Sequence, residues 1–233
     1  MKICLRKMKK NQFTQENRIR KAKIIEKILS TEISLKNKTL LDLGSGTGFI
    51  GKYFEKICDV YYADISDKRS FKDDKFIKID KFEKVLTKKK FDIIISNHVV
   101  EHTNNPEVHF KELQRLLKED GVIYLSFPNP LFPIETHTKI PFLHFFLSRS
   151  RFIGFSKKIR RYGESNLRFI YPYNFNKISK NFKKKQMLKQ YIKIRFGINV
   201  VSSVTRIFFY LMPVSIFLLK PKTSDYNLKK VFM

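Results

Sequence analysis

An apolar run that leads into three alternate glycines is the feature that most constrains how this chain can fold. Residues 40–43 are followed by Gly44, Gly46 and Gly48. Glycine tolerates positive φ and lets the backbone approach a ligand closely, and a helix N-terminus favours bound anions and polar groups. The segment therefore predicts a strand, a ligand-binding loop and a helix, in an α/β fold that binds a nucleotide-type cofactor.

Asp42, two residues before the first glycine, bears on which cofactor that loop holds. A carboxylate there would repel a dinucleotide pyrophosphate, but it suits a ligand that carries an ammonium and a sulfonium. An NAD-type oxidoreductase stays open as an alternative, because residues 46–51 also satisfy G-x-G-x-x-G and Asp64 lies about 20 residues further on. Both acids follow apolar runs, at predicted strand ends where ligands of doubly wound sheets collect.

Four segments in series carry a family resemblance. They are residues 40–48, 61–66, 91–98 and 116–126. In this order they resemble a class I S-adenosylmethionine (SAM) dependent methyltransferase, of the broad group that includes ubiquinone-type and small-molecule methyltransferases. The resemblance implies a Rossmann-like, doubly wound, mostly parallel seven-stranded sheet with helices on both faces and one antiparallel strand. It also implies SAM as the cofactor.

The resemblance further implies a set of cofactor contacts. The glycine loop would wrap the methionine part of SAM, Asp42 would meet its ammonium, and Asp64 would accept both ribose hydroxyls. Ile65 would pack on the adenine, and Asp80 or the backbone beside it would bond the adenine amine. The predicted cofactor-binding residues are Asp42, Gly44, Ser45, Gly46, Thr47, Gly48, Asp64, Ile65, Asp80 and Asn97.

Catalytic candidates follow the fourth predicted strand, where the methyl group would be presented. His98 and His102 are candidate bases and Glu101 lies between them. An imidazole has a suitable pKa for base work, although a histidine that only hydrogen-bonds a strand end is an open alternative for each. His98 to His102 also spells the zinc-peptidase pattern H-x-x-E-H, which needs a stable helix that residues 103–106 would interrupt.

Metal dependence is not expected. Some quinone O-methyltransferases similar to this chain place two acids and a histidine around a magnesium ion at this point. The first of those acid positions is occupied here by His98. The sequence therefore predicts methyl transfer with no metal ligand set.

The chain is predicted to be one methyltransferase domain. Its segments are a basic helical segment (1–38), a SAM-binding core (39–127), an aromatic and basic substrate lid (128–172) and a C-terminal part that completes the sheet (173–233). The predicted helices are 14–30, 49–57, 106–118, 173–185 and 198–212, with a helical turn at 82–86. The predicted strands are 39–43, 60–65, 76–79, 91–98, 122–127, 187–194 and 214–219.

The charge is strongly positive and unevenly distributed. The formal net charge is +27, yet residues 39–127 hold 15 basic and 15 acidic side chains, whereas residues 1–38 hold 12 and 3 and residues 128–233 hold 21 and 3. A lysine-rich genome would load the core as heavily as the flanks. The distribution therefore favours an anionic partner for the flanks.

Aromatic rings among the basic residues of 128–172 suit a lipid interface. We expect O-methylation of a small or lipid-linked acceptor, with peripheral contact at an anionic membrane. An RNA methyltransferase is the alternative, because the same residue types contact phosphate and stack on bases. A non-catalytic SAM-binding protein is a third possibility.

Length, cysteines and apolar runs indicate the setting. A chain of 233 residues can bury the core of one domain. Cys4 and Cys58 fit neither a disulfide framework nor a metal motif, and residues 1–10 lack the apolar region of a secretory signal. The apolar run 207–219 is shorter than the ~20 residues that a membrane-crossing helix needs. These features predict a cytoplasmic protein that reaches a membrane, if at all, only at its inner face.

Overall fold

A computed structural model describes residues 2–129, 131–132, 170–200 and 212–222, with side chains from residue 15 onward. The strands form one seven-stranded sheet in the order β3-β2-β1-β4-β5-β7-β6. They are β1 Thr39–Leu43, β2 Asp59–Asp64, β3 Phe76–Lys78, β4 Phe91–Asn97, β5 Leu117–Pro128, β6 Phe182–Gln186 and β7 Val214–Pro221. The helices are α1 Lys2–Leu29, α2 Phe49–Phe54, α3 Pro106–Leu116, α4 Pro172–Ile178 and α5 Leu188–Phe196.

The sheet is parallel except at β7. Strand β1 pairs with β2 and β4, β2 pairs with β3, and β4 pairs with β5, all parallel. Strand β7 runs antiparallel to both of its neighbours, β5 and β6. The predicted mostly parallel seven-stranded sheet with a single antiparallel strand is therefore confirmed.

Helices cover both faces of the sheet, as predicted. Side chains of β5 alternate: Val122 and Tyr124 join a core beneath α1, α2 and α5, whereas Ile123 and Leu125 join a core beneath α3 and α4. A strand that is buried on both faces needs a continuous apolar sequence, which is what β4 and β5 carry. Because β1, β2, β4 and β5 are parallel, their carboxyl ends meet at one edge of the sheet.

Several predicted boundaries needed correction. Helix α1 begins at Lys2 rather than residue 14, and α2 ends at Phe54 rather than residue 57. Helix α3 starts where predicted, because Pro106 occupies its first turn and the Asn105 side chain accepts the Glu107 N–H at 2.9 Å. It ends at Leu116, however, and β5 begins directly at Leu117.

The helix predicted for residues 173–185 was wrong in its second half, and the strand predicted for residues 187–194 was wrong in type. The helix there ends at Ile178, and β6 follows as an edge strand that buries only Phe182. Residues 187–194 lie mostly in α5, where Leu188 and Ile192 are buried one helical turn apart. Strand β6 contains three consecutive lysines, so its sequence lacks the apolar pattern of a strand. An edge strand can form without that pattern because it buries little apolar surface.

The helical turn predicted for 82–86 was also wrong. Ile79 and Val85 form an antiparallel bridge there, and Asp80 Oδ1 accepts the N–H groups of Phe82 and Lys84, both at 2.9 Å. The predicted lid and the helix 198–212 lie mainly outside the described residues. In the described part, no helix has the length and apolar character to cross a membrane, and β7 takes up residues 214–219 of the apolar run.

Candidate active site

The glycine loop after β1 is held against the end of β2. The N–H groups of Gly44 and Ser45 both donate to the carbonyl oxygen of Ala63, at 2.8 and 3.1 Å. Gly44, Gly46 and Gly48 have φ values of 69, 54 and 77°, which side chains other than glycine rarely adopt. A Cβ on Gly46 would meet no atom within 4 Å, so the middle of the loop faces open space that a ligand can enter.

Gly44 also touches the loop that follows β4. A Cβ on Gly44 would lie 2.5 Å from Cγ2 of Val99, which is closer than carbon atoms can approach. The predicted cofactor loop and the segment with the predicted bases are therefore packed directly against each other.

Asp42 is a buried acid beneath the loop. Asp42 is only 3% exposed, and its Oδ2 accepts the N–H of Gly51 in α2 at 3.0 Å. Burial raises the pKa of Asp42 to about 7, and the hydrogen bond from Gly51 and the charge of Arg18 partly counteract that rise. A cationic ligand group would compensate the buried carboxylate, as the sequence predicts for an ammonium.

The raised pKa of Asp42 predicts a specific pH dependence of folding. Because the folded-state pKa exceeds the unfolded one, the cost of burying the ionised carboxylate increases from about pH 4 to about pH 7 and is complete above that. Asp42→Asn cannot ionise. We expect its free energy of unfolding, minus that of the wild type, to rise by about 2 kcal/mol between pH 5 and pH 8.

Urea titrations at several pH values, without ligand, measure this difference. Asp92→Asn is the control, because an ion pair with Lys118 and hydrogen bonds from Thr39 outweigh the effect of burial and hold the pKa of Asp92 well below its usual range. The contribution of Asp92 is present above the unfolded-state pKa and is lost only as the pH falls through its lower folded-state pKa. A difference for Asp42→Asn that stays constant over pH 5–8 would contradict the prediction.

Asp64 ends β2 and faces the glycine loop. Its Oδ2 accepts the Gly46 N–H at 2.8 Å and its Oδ1 accepts the Ile65 N–H at 2.7 Å. Each carboxylate oxygen has a second lone pair, so both can also accept a ligand hydroxyl. Ile65, beside it, is 70% exposed and offers an apolar surface to a ring. Asp80 lies at the turn after β3, and its Oδ1 is used within that turn.

Asn97 and His98 end β4 in an unusual backbone conformation. His98 has a φ of 59°, which is uncommon for a residue with a side chain, and its N–H donates to the Ser126 carbonyl at 2.9 Å. Asn97 Oδ1 accepts the Ser126 hydroxyl at 2.9 Å. Such backbone conformations cost free energy and persist only where the surrounding structure holds them. They are found most often at functional sites.

His98 and Glu101 form a pair. His98 Nδ1 lies 3.0 Å from Oε1 of Glu101, whose residue is 1% exposed, while the His98 side chain is 33% exposed. The buried carboxylate orients the imidazole and leaves Nε2 as its outer nitrogen. His102 is exposed and lies in a short 3-10 turn, Val100–His102, so residues 98–102 do not form the helix that a zinc-peptidase motif requires.

Three buried polar atoms at this edge of the sheet lack hydrogen-bond partners. They are Ser45 Oγ, Asn97 Nδ2 and Glu101 Oε2, and Gln190 Oε1 is the fourth such atom in the part of the chain that the structure describes. Leaving a buried polar group unsatisfied costs about 1–3 kcal/mol. Their concentration around the glycine loop marks this edge as a site for a polar ligand.

Two cations of α1, Arg18 and Lys21, interact electrostatically with acids of the site and were not predicted. Burial, together with Arg18 and Arg195, lowers the pKa of Lys21 to about 8, whereas Glu101 raises it. Lys21 precedes the buried Ile25 by four residues, so it continues the stripe of α1 that faces the sheet. That spacing is the signal by which the sequence could have identified it.

Arg69 and His109 also escaped prediction. The Arg69 side chain is fully buried between Asp67 and Asp73, at 3.0 and 2.7 Å, and stacks over Tyr62. It occupies the short segment after β2 and lies against Gly48. His109 of α3 is buried, its Nε2 lies 3.1 Å from Ser96 Oγ, and burial lowers its pKa to about 4.

Comparisons with known proteins agree with this geometry. A family model described as a methyltransferase domain matches residues 14–180. A ubiquinone biosynthesis O-methyltransferase of Pelagibacter ubique (strain HTCC1062) is 32% identical over 110 residues, which are 43% of this chain and 46% of that protein. This chain thus spans about half the length of that curated relative.

Solved structures share the fold. The plantazolicin methyltransferase BpumL, in complex with a monoazolic desmethylPZN analogue and SAH, matches with a TM-score of 0.60 at 15% identity, over 91% of this chain and 87% of that one. An S-adenosylmethionine-dependent methyltransferase from Mesorhizobium loti matches with a TM-score of 0.55 at 12% identity, over 82% and 94%.

The fold and these matches define the class of protein: it is a class I methyltransferase, an enzyme whose cofactor is SAM. Because the family model covers well over half of the chain, the chain belongs to the methyltransferase domain family. The recognition made from four sequence segments is thereby confirmed, and SAM is the cofactor rather than NAD.

Proposed function

We propose that the protein transfers the methyl group of SAM to an oxygen of a small or lipid-linked acceptor, and that His98 acts as the base. The observation that carries this proposal is the His98–Glu101 pair, with its 3.0 Å contact, at the end of β4. O-methylation is supported by the similarity to a ubiquinone biosynthesis O-methyltransferase over 110 residues. We further propose that residues 1–233 form one domain, since strands from Thr39 to Pro221 share one sheet.

The residues at the edge of the sheet fit SAM. Its ammonium matches the buried Asp42, its ribose hydroxyls match the free lone pairs of Asp64, and its adenine matches the exposed Ile65. The open space above Gly46 and the unpaired Ser45 Oγ and Asn97 Nδ2 provide room and hydrogen-bonding groups. The proposed set also includes Gly44, Thr47, Gly48 and Asp80.

When bound, SAM supplies an electrophilic methyl group on a sulfonium. The contribution of this chain is to position an acceptor oxygen and to remove its proton. Glu101 holds His98 through Nδ1, so that Nε2 can take the proton, and the developing imidazolium is stabilised by the buried carboxylate. His102, exposed one turn further along, is the alternative candidate for the base. No metal enters the proposal, because an imidazole stands at position 98 where the related magnesium sites have an acid.

Peripheral membrane contact is the second part of the proposal. Helix α1 begins at Lys2, so about 28 Å of helix precedes Lys21. This stretch carries much of the basic excess of residues 1–38. Each basic residue near an anionic bilayer contributes about 1 kcal/mol of attraction. A basic helix next to the cofactor edge suits an acceptor that is presented at a lipid surface.

Transfer of labelled methyl from SAM into a fractionated cell lysate tests the proposed function. We expect the label in the lipid or small-molecule fraction, with transfer increased by vesicles of anionic lipid and not by neutral ones. Label in the RNA fraction would contradict the acceptor class. No transfer in the presence of tight S-adenosylhomocysteine binding would show a non-catalytic SAM-binding protein instead.

A further inference from the structure

An apolar cavity lies one strand away from His98. It has a volume of about 220 Å³ and opens between α4 and the sheet, where β5 ends and β7 begins. Its apolar walls are Phe127, Ile170, Pro172, Phe175 and Phe217. The rings of Phe175 and Phe217 are 4.5 Å apart and those of Phe127 and Phe175 are 5.4 Å apart, so the aromatic wall is continuous.

The cavity is adjacent to the proposed base. Ser126, whose carbonyl accepts the His98 N–H at 2.9 Å, directly precedes the wall residue Phe127. Asn97 and Ser126 are paired across β4 and β5, so His98 continues beside Phe127 at about the 4.8 Å spacing of neighbouring strands. A molecule in the cavity can therefore present a substituent toward the carboxyl end of β4.

One cation lines the cavity. Lys184 of β6 donates to Asn176 Oδ1 at 3.0 Å and lies 5.7 Å from the centre of the Phe175 ring. Burial, followed by the charge of Lys222, lowers the pKa of Lys184. Among the described residues, no carboxylate lies within ion-pair distance of it. The cavity thus combines an apolar wall with a cation that has no acidic counterpart in that part of the chain.

The volume limits what can enter. An apolar cavity of about 150 Å³ holds benzene, whereas drug-sized ligands occupy pockets of roughly 300–1,000 Å³. A volume of about 220 Å³ admits one substituted ring or a short branched chain. Only one such group of a larger molecule, for example the head group of an isoprenoid lipid, would occupy this volume, and the rest would extend out of its open side.

We propose that this cavity receives the methyl acceptor and that Lys184 selects acceptors whose enclosed apolar group, no larger than a single substituted ring, carries an anionic substituent. This inference rests on the proposed function and specifies its substrate class. The ring packs against the phenylalanines, and the anion pairs with the ammonium of Lys184.

A matched pair of probes tests the selection directly. The affinities of 4-(trifluoromethyl)benzoate and of the neutral 4-(trifluoromethyl)benzamide are measured by fluorine NMR on the full chain with S-adenosylhomocysteine. We expect the benzoate to bind about ten-fold tighter, as one added charge-assisted bond gives. Lys184→Met should remove this preference and leave amide binding within about two-fold. Lys183→Met, the neighbouring lysine of β6, should change neither.

Equal binding of both probes to the wild type, or an equal loss in the two variants, would overturn the inference. The acceptor role is tested separately, because the benzoate should inhibit labelled methyl transfer into the lysate. Binding without inhibition refutes the acceptor role of the cavity and leaves the methyltransferase function standing. Absence of transfer by the uninhibited wild type refutes the proposed function itself.

Discussion

Replacing Asp64 by alanine is expected to weaken S-adenosylhomocysteine binding by about 100-fold. Hydrogen bonds to charged groups contribute about 1.5–3 kcal/mol each, and the two ribose hydroxyls offer two of them. The substitution also removes the acceptor of the Gly46 N–H, which Asp64 holds at 2.8 Å. Isothermal titration calorimetry measures the loss.

Two variants separate the roles of Asp64. Asp64→Asn can still accept the Gly46 N–H but lacks the charge, so its affinity should lie between those of the wild type and Asp64→Ala. Asp120→Ala, an exposed acid at the opposite end of β5, should bind as the wild type does. An Asp64→Ala protein that retains affinity within about three-fold would show that the ribose is held elsewhere.

His98→Asn is expected to lower methyl transfer to an acceptor hydroxyl by about 100-fold or more, because a positioned general base contributes roughly 10²–10⁴-fold. Asparagine tolerates the positive φ at this position, so the backbone can keep its shape. Glu101→Gln should show a smaller loss, since it leaves the imidazole in place but removes the charge that orients it. Initial rates with labelled SAM and lysate acceptors measure both.

The matched control is His102→Asn, which changes an exposed imidazole one turn away. It should retain activity within a few-fold, while cofactor affinity stays the same in all three variants. Loss of activity in His102→Asn with full activity in His98→Asn would exchange the roles of the two histidines. A parallel loss of cofactor affinity in His98→Asn would indicate a binding role rather than a base.

Local sequence was most informative where geometry permits few residue types. Positive φ at Gly44, Gly46 and Gly48 strongly favours glycine, and strands buried on both faces need continuous apolar runs, so β1, β2, β4 and the loop were predictable. The edge strand β6 was not, because Phe182 alone is buried in it. Helix α5 was predicted as a strand because its buried residues, Leu188 and Ile192, are only two and lie among basic residues, so its helical periodicity is weak.

The site was predictable only in part, for a different reason. Asp64 and His98 end apolar strands, and that position is visible in the chain. The electrostatic interaction between Lys21 and Glu101, and the burial of Arg69, depend on how distant segments pack. Asp80 follows the end of a strand as predicted. Its carboxylate accepts the N–H groups of Phe82 and Lys84, which lie in a hairpin that the local sequence did not predict.

The contact between Gly44 and Val99 has a consequence for how such chains can diverge. With only 2.5 Å between a Cβ on residue 44 and Cγ2 of residue 99, any side chain at the first position requires a smaller one at the second. Residue 44 also has a φ of 69°, so a side chain there stays strained even when residue 99 is shortened to alanine, and a mutational scan should find position 44 restricted to glycine in both backgrounds.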